Sequence, residues 1–317
     1  MRDRFQREIT YLRISLTDRC NLRCVYCMPP EGIGKRDHSH ILSLEEIEEI
    51  AREAVALGVR KIRLTGGEPL LRRGMTGLCR GLRAIPALRE LTLTTNGLLL
   101  AEMAGELKAA GVDRVNVSLD TLDPEKYRRI TRGGSLDAAL TGIQAARAAG
   151  LTPVKLNCVL IGGFNSGEIP ALAALTEREP VEVRFIELMP IGCAAGLGPE
   201  AYLPCEAVLE RLPGLEPLEP DGGVAERYRL PGAAGTVGLI RPLSRCFCGQ
   251  CGRLRLTADG RIKPCLHARE ELPLRGLHGP DLRRALEAAV RRKPERRGEL
   301  SASVPSEAAR DMNQIGG

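Results

Sequence analysis

Tryptophan is absent from this chain of 317 residues, and aromatic residues of every kind make up 3% of it. Proteins that hold single-stranded nucleic acid stack bases on aromatic rings, so that class is poorly supplied here. The net charge of +6 does not restore it, because a basic balance suits a compact polyanion such as a nucleoside triphosphate equally well. No run of eighteen apolar residues occurs, which excludes a membrane-spanning helix. The N-terminal stretch is charged and then alternating, without the continuous apolar core of a secretory signal. A cytoplasmic location is therefore expected.

Cysteine, by contrast, is plentiful, with eleven in the chain. Structural disulfides are rare in a reducing compartment, where clustered cysteines more often bind metal or carry out redox chemistry. Six of the eleven form two tight groups, Cys20, Cys24 and Cys27, then Cys248, Cys251 and Cys265. The scattered Cys79, Cys158, Cys193, Cys205 and Cys246 read as small buried hydrophobes.

Strands are expected over residues 11–16, 61–65, 91–95, 114–119, 154–160 and 181–188. Helices are expected at 43–57, opened by Ser43 with Glu46 three residues on, and at 101–110 and 136–149. Gly58, Gly111 and Gly150 stand where these helices should end. Repeated β–α units of this kind argue for a parallel sheet.

Alternate strand residues point to opposite faces, and every strand splits the same way. Leu12 and Ile14 oppose Arg13 and Ser15; Ile62 and Leu64 oppose Lys61 and Arg63. Leu91 and Leu93 oppose Thr92 and Thr94, and Val115 and Val117 oppose Asn116 and Ser118. Leu156 and Cys158 oppose Lys155 and Asn157; Val183 and Phe185 oppose Glu182 and Arg184. A parallel sheet covered on both faces is apolar throughout, and a closed eight-stranded barrel fills its interior with Val, Ile and Leu. The expected fold class is therefore α/β, an incomplete (β/α) TIM-type barrel with a wet, ligand-filled interior. An antiparallel sheet with one solvated face competes, and the helical crossovers weigh against it. Residues 190–235 form a Gly/Pro-rich connector with one helix near 205–212, followed by a cysteine-bearing segment at 241–266 and a basic helix near 280–292.

Three thiolates on one loop can hold three irons of a [4Fe–4S] cluster and leave the fourth open. Structural zinc wants four protein ligands, and no fourth Cys or His lies near Cys20, Cys24 and Cys27. The run Cys20–Pro29 and the segment Thr65-Gly66-Gly67-Glu68-Pro69 resemble the two signatures of the radical S-adenosylmethionine superfamily. The resemblance implies that the glycine segment and the Glu68 carboxylate receive the methionine end of S-adenosylmethionine. Paired glycines also let backbone approach a ligand closely.

On spacing alone, zinc is a full competitor at Cys248, Cys251 and Cys265, because Cys246 and His267 lie close by. The stretch from Cys248 to Cys265, the opening around Arg13, residues 184–190 and the closing Ile315-Gly316-Gly317 together resemble the GTP 3',8-cyclase family over nearly the whole chain. That resemblance implies a second [4Fe–4S] cluster on this triad, with its open iron facing the guanine of GTP. Gly252 stands where the family usually has Asn, and Pro is common near the position of Cys246. Whether Cys246 or His267 also contacts the second site stays open.

Arg13, Lys61, Arg63, Lys155 and Arg184 fall on the polar faces of their strands, and Arg253 and Arg255 share a face. Burying so many cations unpaired is costly; Glu182, Asp120 or Glu187 can pair some, and a phosphate-bearing ligand answers the rest. The resemblance assigns Arg13, Arg63, Thr94, Lys155, Arg253 and Arg255 to GTP, and Lys61, Arg184 and Leu254 join that set. It assigns Tyr26, Gly67, Ser118 and Met189 to S-adenosylmethionine, with Gly66 and Glu68. Arg13, Arg253 and Arg255 are the candidate catalytic side chains, and the tail bearing Gly316 and Gly317 enters the active site in the family.

The expected division is a radical S-adenosylmethionine partial barrel over 1–225 and a cluster-binding extension over 226–317. The implied activity is conversion of GTP to 3',8-cyclo-7,8-dihydro-GTP, the first step of molybdenum cofactor biosynthesis. A flavodoxin or ferredoxin would donate electrons, cyclic pyranopterin monophosphate synthase would take the product, and a homodimer is left open. A peptide-modifying radical maturase with an auxiliary cluster is the competing enzyme, and a non-catalytic zinc or iron–sulfur RNA-binding protein the competing class.

Overall fold

The computed structural model describes residues 1–34 and 40–316. Six strands alternate with helices through the first part of the chain: β1 (Tyr11–Ser15), β2 (Lys61–Thr65), β3 (Glu90–Thr95), β4 (Arg114–Ser118), β5 (Lys155–Leu160) and β6 (Glu182–Glu187). Between them run α1 (Leu44–Ala56), α2 (Met75–Arg83), α3 (Leu100–Ala109), α4 (Pro124–Thr131), α5 (Leu136–Ala148) and α6 (Ile169–Arg178). The rest supplies α7 (Glu206–Arg211), β7 (Glu216–Pro217), β8 (Glu226–Arg229), β9 (Thr236–Ile240), β10 (Arg253–Leu256), β11 (Arg261–Lys263), β12 (Leu272–Pro273), α8 (Gly279–Arg291) and α9 (Met312–Ile315).

Local chemistry accounts for the helix ends. Ser43 accepts from the Glu46 amide while the Glu46 carboxylate accepts from the Ser43 amide, a reciprocal cap that starts α1. Gly58, Gly111 and Gly150 all take positive φ where α1, α3 and α5 stop. Helices α2, α4 and α6 were not expected. The first begins after Gly74 with no capping side chain, and α4 is short and mostly polar, so its period is weak.

All twelve strands of the described residues join one sheet in the order β12-β11-β10-β1-β2-β3-β4-β5-β6-β9-β8-β7. From β10 to β9 the neighbours are parallel, and short antiparallel hairpins finish both edges. The two ends do not pair with each other, so the barrel is incomplete. The helix-covered face is the apolar one: Leu12, Ile62, Leu91, Val115, Phe185 and Leu239 are fully buried in one continuous core.

The division at 225/226 does not separate two sheets. β9 extends the barrel beside β6, and β10 returns beside β1. No helix among the described residues is long and apolar enough to cross a membrane.

Glu187, at the end of β6, fastens the cysteine-bearing segment to the sheet. Its carboxylate accepts from the amides of Leu243, Ser244 and Cys205 and from the Ser244 hydroxyl. Glu187→Ala takes the charged acceptor from the buried Cys205 amide and from three part-buried donors, and is expected to lower stability by about 3 kcal/mol. Urea unfolding measures it, and a loss under about 1 kcal/mol would contradict this role.

Candidate active site

The polar faces of the strands from β10 to β6 converge on one cavity of about 650 Å³. Register keeps like positions level. Arg255, Arg13 and Arg63 are neighbours across β10, β1 and β2, with Arg253, Tyr11 and Lys61 in the adjoining row. Every cation expected in the lumen lines this cavity: Arg13, Lys61, Arg63, Lys155, Arg184, Arg253 and Arg255. Thr94 lies outside its lining, although its hydroxyl accepts from Arg63 at 3.4 Å. Leu254 is a correction: it sits in the apolar core on the opposite parity, so only its main chain is available to a ligand.

The charge is partly balanced on one side. Glu182 pairs with Lys155 at 2.8 Å and with Arg184. Glu90 pairs with Lys61 at 2.7 Å and Arg114 at 2.6 Å. Of the expected counter-charges only Glu182 serves, since Asp120 accepts instead from the Tyr26 hydroxyl and the Val159 amide. Glu90 and Arg114 were missed, although both continue the polar parity of their strands.

The β10–β1–β2 side differs. Burial pulls Arg63 down to about 9, helped by Arg13, Arg114 and Arg184 and opposed by Tyr11. Arg255 is pulled well below the usual arginine range by burial, then by Arg13 and Arg253. Burial would raise Tyr11, but Arg63, Arg13, Lys61 and Arg253 outweigh it and bring the phenol to about 7. Nη2 of Arg253 is buried with no hydrogen-bond partner among the described residues. Cations that depress one another and leave a guanidinium nitrogen unmatched form a receptor for an anion.

Cys20, Cys24 and Cys27 follow β1 on a loop pinned by the Arg23 and Val25 amides, which donate to carbonyls of Thr131 and Ile130. Among the described residues no three His, Cys, Asp or Glu side chains are closed up as a ready metal site. What marks the triad is its donor chemistry. Burial pushes the Cys20 thiol up to about 11, and burial together with Cys27, Asp120 and Cys20 drives Cys24 well above the usual thiol range. The Leu22 amide and the Asn96 side chain already donate to the Cys20 sulfur, at 3.3 and 3.7 Å. Three free, desolvated cysteines whose thiolate forms would repel one another, with N–H donors already on the Cys20 sulfur, suit an iron–sulfur cluster that takes up their negative charge.

The Gly66–Gly67 pair has a different reason from the one expected. A Cβ on Gly66 would lie 2.3 Å from the Thr17 carbonyl oxygen, and one on Gly67 2.3 Å from that of Arg19. The close approach is to the chain's own cluster loop. Glu68 is also corrected. Its carboxylate is fully buried and accepts from the Leu70 and Asn96 amides and the Thr95 hydroxyl. It braces β2 against β3, which leaves main-chain groups of this segment to face a ligand.

Cys248, Cys251 and Cys265 line the main cavity with Cys246 and His267, while the first triad lies outside its lining. Burial raises Cys251, but Lys293 and Arg253 outweigh it and lower the thiol. His267 is pulled to about 4 by burial, then by Arg297, Arg255 and Lys263, and Nδ1 meets the Ser306 hydroxyl at 3.0 Å. Met189 also lines the cavity; Tyr26 and Ser118 do not.

Residues 313–316 reach into the barrel. Asn313 donates to the Asp18 carbonyl at 3.0 Å, and Arg255 donates to the carbonyl of Gly316. Arg310 holds the approach through Glu271 and Asp259. Gly317 lies outside the described residues.

Residues 14–176 match the model of the radical SAM superfamily, and residues 181–299 match the model described as Molybdenum Cofactor Synthesis C. The chain is 52% identical to GTP 3',8-cyclase of Peptoclostridium acidaminophilum, over 99% of this chain and 98% of that protein. It is 51% identical to GTP 3',8-cyclase of Pelotomaculum thermopropionicum over the full length of both. Among solved structures, SuiB of Streptococcus suis bound to S-adenosylmethionine superposes with a TM-score of 0.59 at 14% identity, covering 88% of this chain and 63% of that one. That likeness concerns the fold. On the family models and the full-length relatives, the chain belongs to the radical SAM superfamily and, within it, to the GTP 3',8-cyclase family.

Proposed function

We propose that this protein converts GTP to 3',8-cyclo-7,8-dihydro-GTP, opening molybdenum cofactor biosynthesis. The observation that carries the reading is the cation-crowded cavity whose wall also holds Cys248, Cys251 and Cys265. A [4Fe–4S] cluster held by Cys20, Cys24 and Cys27, with S-adenosylmethionine, would supply the radical that removes a hydrogen from the ribose.

The remaining work belongs to the chain. Arg253, Arg255, Arg13 and Arg63 take the triphosphate, which answers both their mutual repulsion and the unmatched nitrogen of Arg253. Cys248, Cys251 and Cys265 hold a second [4Fe–4S] cluster at the guanine end. Main-chain groups at Gly66 and Gly67, with Tyr26, Ser118 and Met189, hold S-adenosylmethionine. The tail closes on Arg255 and keeps water from the ribose. Reducing equivalents come from a flavodoxin or ferredoxin, and cyclic pyranopterin monophosphate synthase takes the product.

Anaerobic reconstitution, iron counting and mass spectrometry after dithionite, S-adenosylmethionine and GTP test this reading. About eight irons per chain, two four-iron clusters, with a cyclised nucleotide and GTP-dependent 5'-deoxyadenosine, are expected. Untouched GTP beside 5'-deoxyadenosine overturns the substrate.

GTP affinity should also fall as pH rises. Tyr11 loses its proton near 7 and adds a negative charge. Lys155, lowered to about 8 by burial and then Arg184 against the pull of Glu182, loses a positive one. Both changes reduce the attraction for phosphate, so Kd should rise steadily between about pH 6.5 and 9. Titration calorimetry of the protein with GTP measures this, and a flat profile would contradict the assignment of these groups.

A further inference from the structure

We propose that Lys293 is a positioning residue of the second cysteine triad. It fixes the spacing of the Cys251 and Cys265 segments, and its buried positive charge raises the reduction potential of the cluster they carry. The inference rests on the reading of that triad as a cluster site.

Lys293 follows α8 and is 2% exposed. Its ammonium donates to the Arg253 carbonyl at 2.9 Å, the Pro264 carbonyl at 2.8 Å and the Cys251 sulfur at 3.6 Å. An ammonium has three N–H groups, and each is directed at a segment that carries a ligand. Arg253 lies two residues beyond Cys251, and Pro264 immediately precedes Cys265. One nitrogen therefore ties together two segments that are separate in sequence.

The turn bearing Lys293 is itself fixed. Arg7 donates to the carbonyls of Pro294 at 2.7 Å and Glu295 at 2.8 Å, and the same Nη1 reaches the Cys248 carbonyl at 2.8 Å. All three cysteines of the triad are thus referred to one turn. A buried ammonium needs a counter-charge, and among the described residues no carboxylate pairs with Lys293. Cysteinyl sulfurs of a cluster are the anions it faces. Hydrogen bonds to sulfur and net local charge set a cluster's potential, and a cation favours the reduced state, which carries one more electron.

The test uses the full chain with Cys20, Cys24 and Cys27 changed to Ala, so that the second site alone reports. After anaerobic reconstitution, iron and zinc are counted and the cluster is titrated electrochemically with EPR detection. In Lys293→Met the midpoint should move to a more negative potential with the irons retained, and Lys293→Arg should stay close to the parent. Should the Met protein not load, Lys293→Gln, which keeps a donor and loses the charge, is read the same way. An unchanged potential in a loaded Met or Gln variant overturns the inference and leaves the cluster reading intact. Zinc in place of iron in the parent overturns both.

Discussion

Gly66→Ala and Gly67→Ala are each expected to abolish iron binding at the first triad and reduce turnover below detection. The added methyl at either position meets a main-chain oxygen at 2.3 Å, that of Thr17 or that of Arg19. Neither oxygen can rotate away. Both belong to the segment that leads from β1 into Cys20, and both already accept from the turn after β2: Gly67 donates to Thr17 at 2.7 Å and Glu68 to Arg19 at 2.8 Å. Gly66 also holds φ at +146°, which strains any other residue. Overpacking and strain together cost about 3 kcal/mol or more, and the loop bearing Cys20 is what gives way. Gly77→Ala is the control, because a Cβ there meets nothing within 4 Å; it should be neutral or slightly stabilising. A Gly67→Ala protein with full iron and parental turnover would refute the argument.

Arg255→Ala carries the second large effect and splits activity from stability. Arg255 is buried in the field of Arg13 and Arg253, so removing its charge relieves repulsion in the protein without ligand. Stability should stay within about 1 kcal/mol of the parent, because the lost bond to the Gly316 carbonyl is offset by that relief. Binding behaves oppositely, since a truncated charge partner costs several kcal/mol. The value of kcat/KM for GTP should fall by about two to three powers of ten. Thermal melting and steady-state kinetics separate the two. A variant as active as the parent, or one that simply unfolds, would contradict the role given to Arg255.

Much of the barrel was legible because strand parity is a local signal. Alternation in residues 12–16, 61–65 and 182–187 identified a polar face that the sheet does bring to one cavity. Glu90 escaped because the strand was read from Leu91, one residue late. Glu68 was misjudged because its partners, Thr95 and Asn96, arrive on the next strand. The pairing of β10 with β1 joins segments some three-quarters of the chain apart, and nothing local in either announces it. The same holds for Lys293, which reads as one more residue of a basic helix end until the fold places it against the Cys251 sulfur. Within the first triad, the spacing of Cys20, Cys24 and Cys27 was informative by itself. For the second triad, family resemblance carried the reading.

The most direct test of the central claim is the fate of one hydrogen. GTP carrying deuterium at the ribose C3' position is incubated anaerobically with reconstituted protein, dithionite and S-adenosylmethionine, and 5'-deoxyadenosine is examined by mass spectrometry. The account predicts that deuterium passes into 5'-deoxyadenosine as the cyclised nucleotide accumulates. Unlabelled 5'-deoxyadenosine formed beside intact GTP would contradict it, and would return the cavity to a different substrate.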